Sequence, residues 1–534
     1  MLTRSINLNL FGIIVLSTLM SCGGGNSHET ASEVIVSDPA PITTPNIPTL
    51  PEPSSEQIFG PDNVLIIGEY EGGFDRALDA GDRFGRDHDQ AGDINGDGII
   101  DFIIGARSDD DGATDAGAVY VLFMKEDGTV QSHQKISAFE GGFDDTLAEG
   151  DFFGYGVAGI GDYNADGIPD VAVSAIGRLN TAIYILHLNT DGTVKSKVKN
   201  TDITAQGLSA VDINLDGKID LIAAEPNASG GGVIHILFFD NDSKVLIDNI
   251  VTIGDNVGGF GDGLNVGDSF GGRESALLGD IDGDGTQELA VGAFMSENGT
   301  GAIWILSLDA DTFHVVDKVK IAPGLAGFNE TIPNDTNTNG STGGQFGHAM
   351  VAAGDLNGDG IADIITGANQ YGAGVGYILY LDINKTVKTY TRLTESEGGF
   401  ELALGDADRF SRSMSIVDNH RIDGKLTVNL GGGVSFGGSG AIYALTFKTC
   451  TIERQADNTF WSGGNTLFTN WDHSTQIVLE PLSHEQCVIK AFENHASNIT
   501  TKASDGRCII KDASAILLNS EEGSTAYTRN CPEE

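Results

Sequence analysis

The chain has 534 residues, 40% of them hydrophobic, which is enough for a large core and for more than one folding unit. A formal net charge of -46 excludes phosphate backbones as natural partners, because a polyanion gains nothing by approaching another without cations between them; no nucleic-acid role is expected. Cations are the expected guests, and 73 glycines point to many tight turns.

The first stretch, "MLTRSINLNLFGIIVLSTLMSC", has Arg4, an apolar run from Leu8 to Leu19, and then Met20-Ser21-Cys22. The run is short for a bilayer span and small residues precede the cysteine, so residues 1–21 read as an export signal. The ending resembles the lipobox of bacterial lipoproteins. That resemblance implies lipidation of Cys22 and anchorage to the envelope, and Gly23 beside it fits the outer membrane or cell surface. Residues 22–57 are small, polar and proline-rich, too poor in apolar groups to offset the entropy of ordering, and read as a tether.

From residue 58 to 449 the chain repeats itself. "DINGDGIIDFIIGA" begins at Asp93, "DYNADGIPDVAVSA" at Asp162, "DINLDGKIDLIAAE" at Asp212, "DIDGDGTQELAVGA" at Asp280 and "DLNGDGIADIITGA" at Asp355. A sixth copy, from Asn419, keeps only Asp423-Gly424 and is expected to bind nothing. About ten residues upstream stands Phe-Gly, at Phe84, Phe153, Phe270 and Phe346, weakened to Phe410-Ser411 in the sixth copy and Ile203-Thr204 in the third. Downstream comes an apolar run such as "GAVYVLFM" or "GAIWILSL", which reads as a strand. Each unit thus predicts four short strands, and four-stranded units repeated in this way suit a β-propeller. The last unit lacks its fourth strand while "NVLIIGEYEGGF" precedes the first, so one blade is expected to join both ends, giving six blades in an all-β chain.

In Asp355-x-Asn357-x-Asp359-Gly360-x-x-Asp363, oxygen donors occupy positions 1, 3, 5 and 9, with glycine at 6 where the chain turns sharply. Hard oxygen donors around a tight loop, with the carbonyl at position 7, describe a Ca²⁺ site. An EF-hand is excluded: position 12 carries Ile104, Val173, Ala223, Val291 and Thr366 instead of a bidentate Glu, and strand signals replace the helices. The bland alternative is that Asp, Asn and Gly simply make good turns, a weaker account of five copies in one register.

These residues resemble the FG-GAP repeats of the integrin α-chain propeller, of many bacterial surface proteins and of glycosylphosphatidylinositol phospholipase D. The resemblance implies a calcium-stabilised propeller, seven-bladed in integrins, whose loops bind a protein or glycan partner in adhesion or recognition. It implies ligands at Asp93, Asn95, Asp97, Asp101 and the carbonyl of Ile99; at Asp162, Asn164, Asp166, Ile168 and Asp170; and at Asp212, Asn214, Asp216, Lys218 and Asp220. The fourth and fifth sets are Asp280, Asp282, Asp284, Thr286 and Glu288, and Asp355, Asn357, Asp359, Ile361 and Asp363, about five Ca²⁺ sites in all.

Residues 450–534 lose the repeat and gain Cys450, Cys487, Cys508 and Cys531, an even number in an exported chain, so a small domain with two disulfides of open connectivity is expected. Enzyme signatures are weak. Gly433-Val434-Ser435-Phe436-Gly437 matches a nucleophile elbow without its strand-turn-helix setting, "GAGVGY" at Gly372 lacks a βαβ unit, and His484-Glu485 lacks the second histidine of a zinc protease. A non-enzymatic binding module is expected, with a propeller-bearing hydrolase or an envelope scaffold as alternatives.

Overall fold

The computed structural model describes residues 63–177, 181–239, 249–333, 343–394 except Gly358, then 404, 408–417, 425–432 and 439–448, and five C-terminal strands by their backbone alone. The anticipated signal, tether and Cys22 therefore lie outside the described residues, as do Cys450, Cys487, Cys531, the Gly433–Gly437 stretch and His484-Glu485.

Six four-stranded antiparallel sheets account for the repeats. The first is β2 (Phe84–Gly92), β3 (Asp101–Ala106), β4 (Ala118–Met124) and β5 (Val130–Ile136). The second is β6 (Val157–Gly161), β7 (Asp170–Ala175), β8 (Ala182–Leu188) and β9 (Val194–Asn200). The third is β10 (Gly207–Val211), β11 (Asp220–Glu225), β12 (Val233–Leu237) and β13 (Val251–Gly254). The fourth is β14 (Ala276–Gly279), β15 (Gln287–Ala293), β16 (Ala302–Leu308) and β17 (Val315–Ile321). The fifth is β18 (Phe346–Gly354), β19 (Asp363–Ala368), β20 (Val375–Leu381) and β21 (Val387–Leu393). The sixth takes β22 (Met414–Val417), β23 (Lys425–Gly432) and β24 (Ala441–Lys448) from the end of the repeats and β1 (Asn63–Gly68) from their beginning. β1 pairs with β24 from Asn63 opposite Thr446 to Gly68 opposite Ala441, closing the ring at six blades as expected.

The first strands surround the axis: β2 packs on β6 and β22, β6 on β10, and β18 on β14 and β22. Second and third strands, such as β3, β4, β7 and β8, are buried along their whole length, because each sheet is covered on both faces by its neighbours. Outer strands such as β5 expose their middle residues. The core therefore lies between blades. Ile103, Val119 and Val121 of the first sheet pack with Val171, Val173 and Leu186 of the second.

The repeated aromatics build these seams. Phe84, Phe153, Phe270 and Phe346 are fully buried, and each meets a second phenylalanine from the "GGF" or "AGF" segment, at ring-centroid distances of 4.9, 4.7, 5.2 and 4.5 Å for Phe74, Phe143, Phe260 and Phe328. A third-strand aromatic, Tyr120, Tyr184, Trp304 or Tyr377, completes each group edge-on. The Phe-Gly start is also a backbone joint. The N–H of Phe153 donates to the Ala116 carbonyl of the preceding blade at 2.9 Å, and that of Phe346 to Thr300 at 2.8 Å. Gly117, at φ +91°, lies directly beneath this joint, and a Cβ there would run into the Phe153 backbone.

The C-terminal strands, β25 (Thr451–Arg454), β26 (Gln476–Leu479), β27 (Asn498–Lys502), β28 (Cys508–Lys511) and β29 (Ser524–Asn530), form one antiparallel sheet in the order β25-β29-β27-β28-β26. Cys508 begins β28.

Candidate metal centre: the acidic hairpin loops

Every acidic loop joins the first strand of a blade to the second, and so lies at the end of the propeller opposite the Phe-Gly joints. The loops share one hydrogen-bond pattern. The carboxylate at position 1 accepts the backbone N–H of position 5 through one oxygen: Asp93 from Asp97 at 3.0 Å, Asp162 from Asp166 at 2.9 Å, and Asp212, Asp280 and Asp355 from Asp216, Asp284 and Asp359 at 3.0 Å. Its other oxygen accepts the N–H of the position-6 glycine, from 2.8 Å at Gly98 and Gly167 to 3.0 Å at Gly285 and Gly360. Those glycines, with Gly217, sit at φ between +85° and +97°, the conformation that makes glycine the residue of choice there. The position-5 carboxylate accepts the N–H of position 7, at Ile99, Ile168, Lys218, Thr286 and Ile361.

Position 9 does more than the sequence suggested. Asp101, Asp170, Glu288 and Asp363 are fully buried and Asp220 nearly so. Asp101 accepts N–H groups from Ile94 at 3.0 Å and from Met124, at the end of the third strand, at 3.1 Å; Asp363 does the same with Leu356 and Leu381 at 2.8 and 3.2 Å. Asp170 takes Tyr163 and Leu188, and Glu288 takes Ile281. This acid ties the loop to the hairpin beside it.

The position-3 oxygens of Asn95, Asn214, Asp282 and Asn357 accept the N–H of position 5, whereas the Asn164 oxygen is buried without a partner. Burial pushes Asp101 up to about 6, with Asp97 adding to it. Burial, then Asp216 and Asp212, pushes Asp220 up to about 7, and burial holds Asp363 well above the usual carboxylate range. One Asp220 oxygen is buried with no hydrogen-bond partner, an orphaned acceptor at the centre of a carboxylate cluster. In the fourth loop, ligand atoms of Asp280, Asp282 and Glu288 lie within 4.8 Å of one another. The donor set therefore fits a hard divalent cation.

Lysines, which the sequence pattern did not flag, approach three loops. Lys195 lies 2.8 Å from Asp166 and Lys388 lies 3.6 Å from Asp359. Lys385 reaches from the β20–β21 turn into the fourth loop, 2.7 Å from Asp282 and 3.9 Å from Glu288. Its signal in the sequence is a lysine in an outer turn of the following blade, a relation across blades that spacing within one repeat does not carry. "GAGVGY" at Gly372 opens β20 as a plain hairpin, as anticipated.

Comparison with known proteins agrees with this geometry. The FG-GAP repeat matches residues 90–122, 272–306 and 346–379, and the FG-GAP-like repeat matches residues 162–223. Integrin alpha pat-2 of Caenorhabditis briggsae is 35% identical over 129 residues, 24% of this chain and 9% of the integrin. Phosphatidylinositol-glycan-specific phospholipase D of Bos taurus is 30% identical over 155 residues, 26% of this chain and 18% of that enzyme. A solved structure of the Dos1 propeller aligns over 62% of this chain and 64% of its own with a TM-score of 0.31 at 12% identity, too weak a likeness to bear on the argument. The chain thus spans a fifth or less of the length of the curated relatives it matches. It carries FG-GAP repeats in its first five blades and is homologous, over part of its length, to integrin α chains.

Proposed function

We propose that the chain is a calcium-stabilised, integrin-like binding module, a lipoprotein held at the bacterial envelope by Cys22 and the tether of residues 22–57, whose propeller loops engage a protein or glycan in adhesion or recognition. The observation that carries the calcium reading is the repetition of one carboxylate-rich loop geometry in five blades, with the acid at position 9 buried each time. Asp93, Asn95, Asp97 and Asp101 and their equivalents would hold the ion, and the bound ion would neutralise carboxylates that otherwise repel one another. Lys385 takes one cationic place in the fourth loop, so that loop is the weakest of the five. The metal acts in structure, and no catalytic role is assigned to any residue.

The test is stability and occupancy. Melting in millimolar calcium is expected well above melting in excess EDTA, because a site filled at a hundred times its dissociation constant adds about 2.7 kcal/mol. Mass spectrometry under native conditions is expected to find bound calcium. Equal melting temperatures and no bound ion would sink the reading. Partner capture from cell surfaces is expected to vanish with chelator. The similarity to the phospholipase favours a second reading, a propeller-bearing hydrolase, and turnover of phospholipid esters or glycans by the purified chain would establish it instead. Recovery of a diacylated N-terminal Cys22 peptide tests the anchor; an unmodified mature N-terminus would remove it.

A further inference from the structure

The Phe-Gly leading into the inner strand, Phe-Ser in the sixth repeat, is followed by arginine in the first and sixth repeats and, one place later, in the fourth: Arg86, Arg412 and Arg273. Tyr155 and His348 hold the same place in the second and fifth repeats. In a chain of net charge -46 this concentrates buried cations at the hub, at the propeller end opposite the acidic loops. Arg86, Arg107 and Arg412 are each 7% exposed and Arg273 5%. The Nε atoms of Arg86, Arg107, Arg409 and Arg412 are buried without a hydrogen-bond partner.

The cluster is rigidly framed. Arg107 and Arg273 lie over the Tyr155 ring at 4.2 and 4.4 Å from its centroid, an arrangement of two cations about one π system. One Arg273 nitrogen donates to the carbonyls of Tyr155 and Gln206, both at 2.9 Å. His348 donates from Nδ1 to the Arg412 carbonyl at 2.9 Å. Arg273, Arg409, Arg412, His348, Gln345 and Tyr155 line a cavity of about 200 Å³.

The field there is strongly positive. Burial and then Arg412, Arg107 and Arg273 hold Arg86 well below its usual range. Burial tends to raise the Tyr155 phenol, but Arg273, Arg107, Arg86 and Arg412 together bring it down to about 7. Two buried acids interact with Arg273 and with each other: Asp87, on β2, and Glu274, just before β14. Burial and Asp87 push Glu274 well up, and Asp87 itself is pushed by burial up to about 6. Arg86, Arg107, Arg273 and Arg412 are four buried guanidiniums, and like charges out of water at this density are costly unless counter-ions join them.

We propose that this hub cavity is a binding site for a compact oxyanion, a carboxylate, sulfate or phosphate group, held by Arg273, Arg412 and Arg409 with Gln345 beside them. Forked guanidinium donors suit such an anion, and the volume admits one small group and little more. The inference stands on the hub alone, independently of the calcium reading, and its test leaves the acidic loops untouched.

The experiment is isothermal titration of the purified full chain, calcium-saturated and at low ionic strength, with sodium sulfate and with sodium glucuronate, against sodium chloride as control. Saturable binding at one site per chain is expected, at least tenfold weaker in Arg412→Gln and in Arg273→Gln, and unchanged in the surface variant Lys125→Gln. Circular dichroism melting in chloride checks that each variant is folded, and equilibrium dialysis of labelled sulfate on the unaltered chain gives a readout that needs no variant. Preference for glucuronate assigns a planar carboxylate and preference for sulfate a tetrahedral group; either result supports the site. Absence of saturable binding, or equal binding by the unaltered chain and the arginine variants, overturns it.

Discussion

The position-9 acid shows how one residue serves two levels at once: it belongs to the loop's oxygen set and is also the buried acceptor that fastens the second strand to the third. Other buried charges behave in ways only their neighbours explain. Lys135 is 5% exposed and lies 2.7 Å from both Asp109 and Asp111. Lys135→Met strands the buried Asp109 charge and is expected to cost about 3–5 kcal/mol in urea unfolding, with part regained in the double variant with Asp109→Asn. No regain would mean that Lys135 acts through packing alone. Asp82 is nearly buried, and burial pushes its carboxyl up to about 7, with Asp109 and Asp79 adding to it and Lys135 opposing. An unfolded Asp titrates near about 3.9. Between these values the native state holds a proton that the unfolded chain has lost, so stability from this group falls as pH rises and levels off above 7. Asp82→Asn removes that slope, so its advantage over the unaltered chain is expected to grow by up to about 1.4 kcal/mol per pH unit from pH 4 towards 7. A difference that is the same at pH 4.5 and 7.5 would refute this.

Among elements, the blade was legible because three signals agree. An apolar run marks the buried third strand, Asp-x-Asn-x-Asp-Gly the first hairpin, and Asp-Gly-Thr the outer one. In that outer turn Asp127 accepts both the backbone N–H and the hydroxyl of Thr129, while the backbone N–H of Lys125 donates to the Thr129 carbonyl at 2.8 Å. The third blade was harder, since Ile203-Thr204 replaces Phe-Gly there. The reason for Phe-Gly itself was hidden, because its partner is a glycine of the preceding blade. Gly117→Ala adds a Cβ at φ +91° into the Phe153 backbone. It is expected to lower stability by roughly 2 kcal/mol or more, combining left-handed strain with a displaced joint. Phe153→Ala is expected to cost about 3–5 kcal/mol by opening a cavity between two blades. Guanidinium unfolding measures both, and a loss below 1 kcal/mol in either would show that the seam repacks freely.

At the scale of the whole molecule, closure is the decisive feature. β1 supplies the outer strand of the sixth blade, so the two ends of the repeat region are hydrogen-bonded to each other. Removing residues 63–68 exposes the edge of β24 and opens the ring at one seam. Broadened thermal unfolding and a lower midpoint are expected; an unaltered, equally sharp transition would show that closure is not needed for cooperativity. The net charge also acts at this scale. In EDTA, raising salt from 20 to 300 mM is expected to stabilise the chain by screening self-repulsion, and the gain should shrink once calcium is present.

The amino-acid sequence by itself determined the strands, the acidic loops and the number of blades, because each depends on residues within one repeat and is written again in every copy. What only the tertiary structure decided lies between repeats. The Phe-Gly joint, the reach of Lys385 into the preceding blade's loop and the convergence of Arg86, Arg273 and Arg412 on the axis bring together residues separated by up to several hundred positions. Local period cannot encode such meetings, since they exist only once the ring has closed and each inner strand has been turned to face the others.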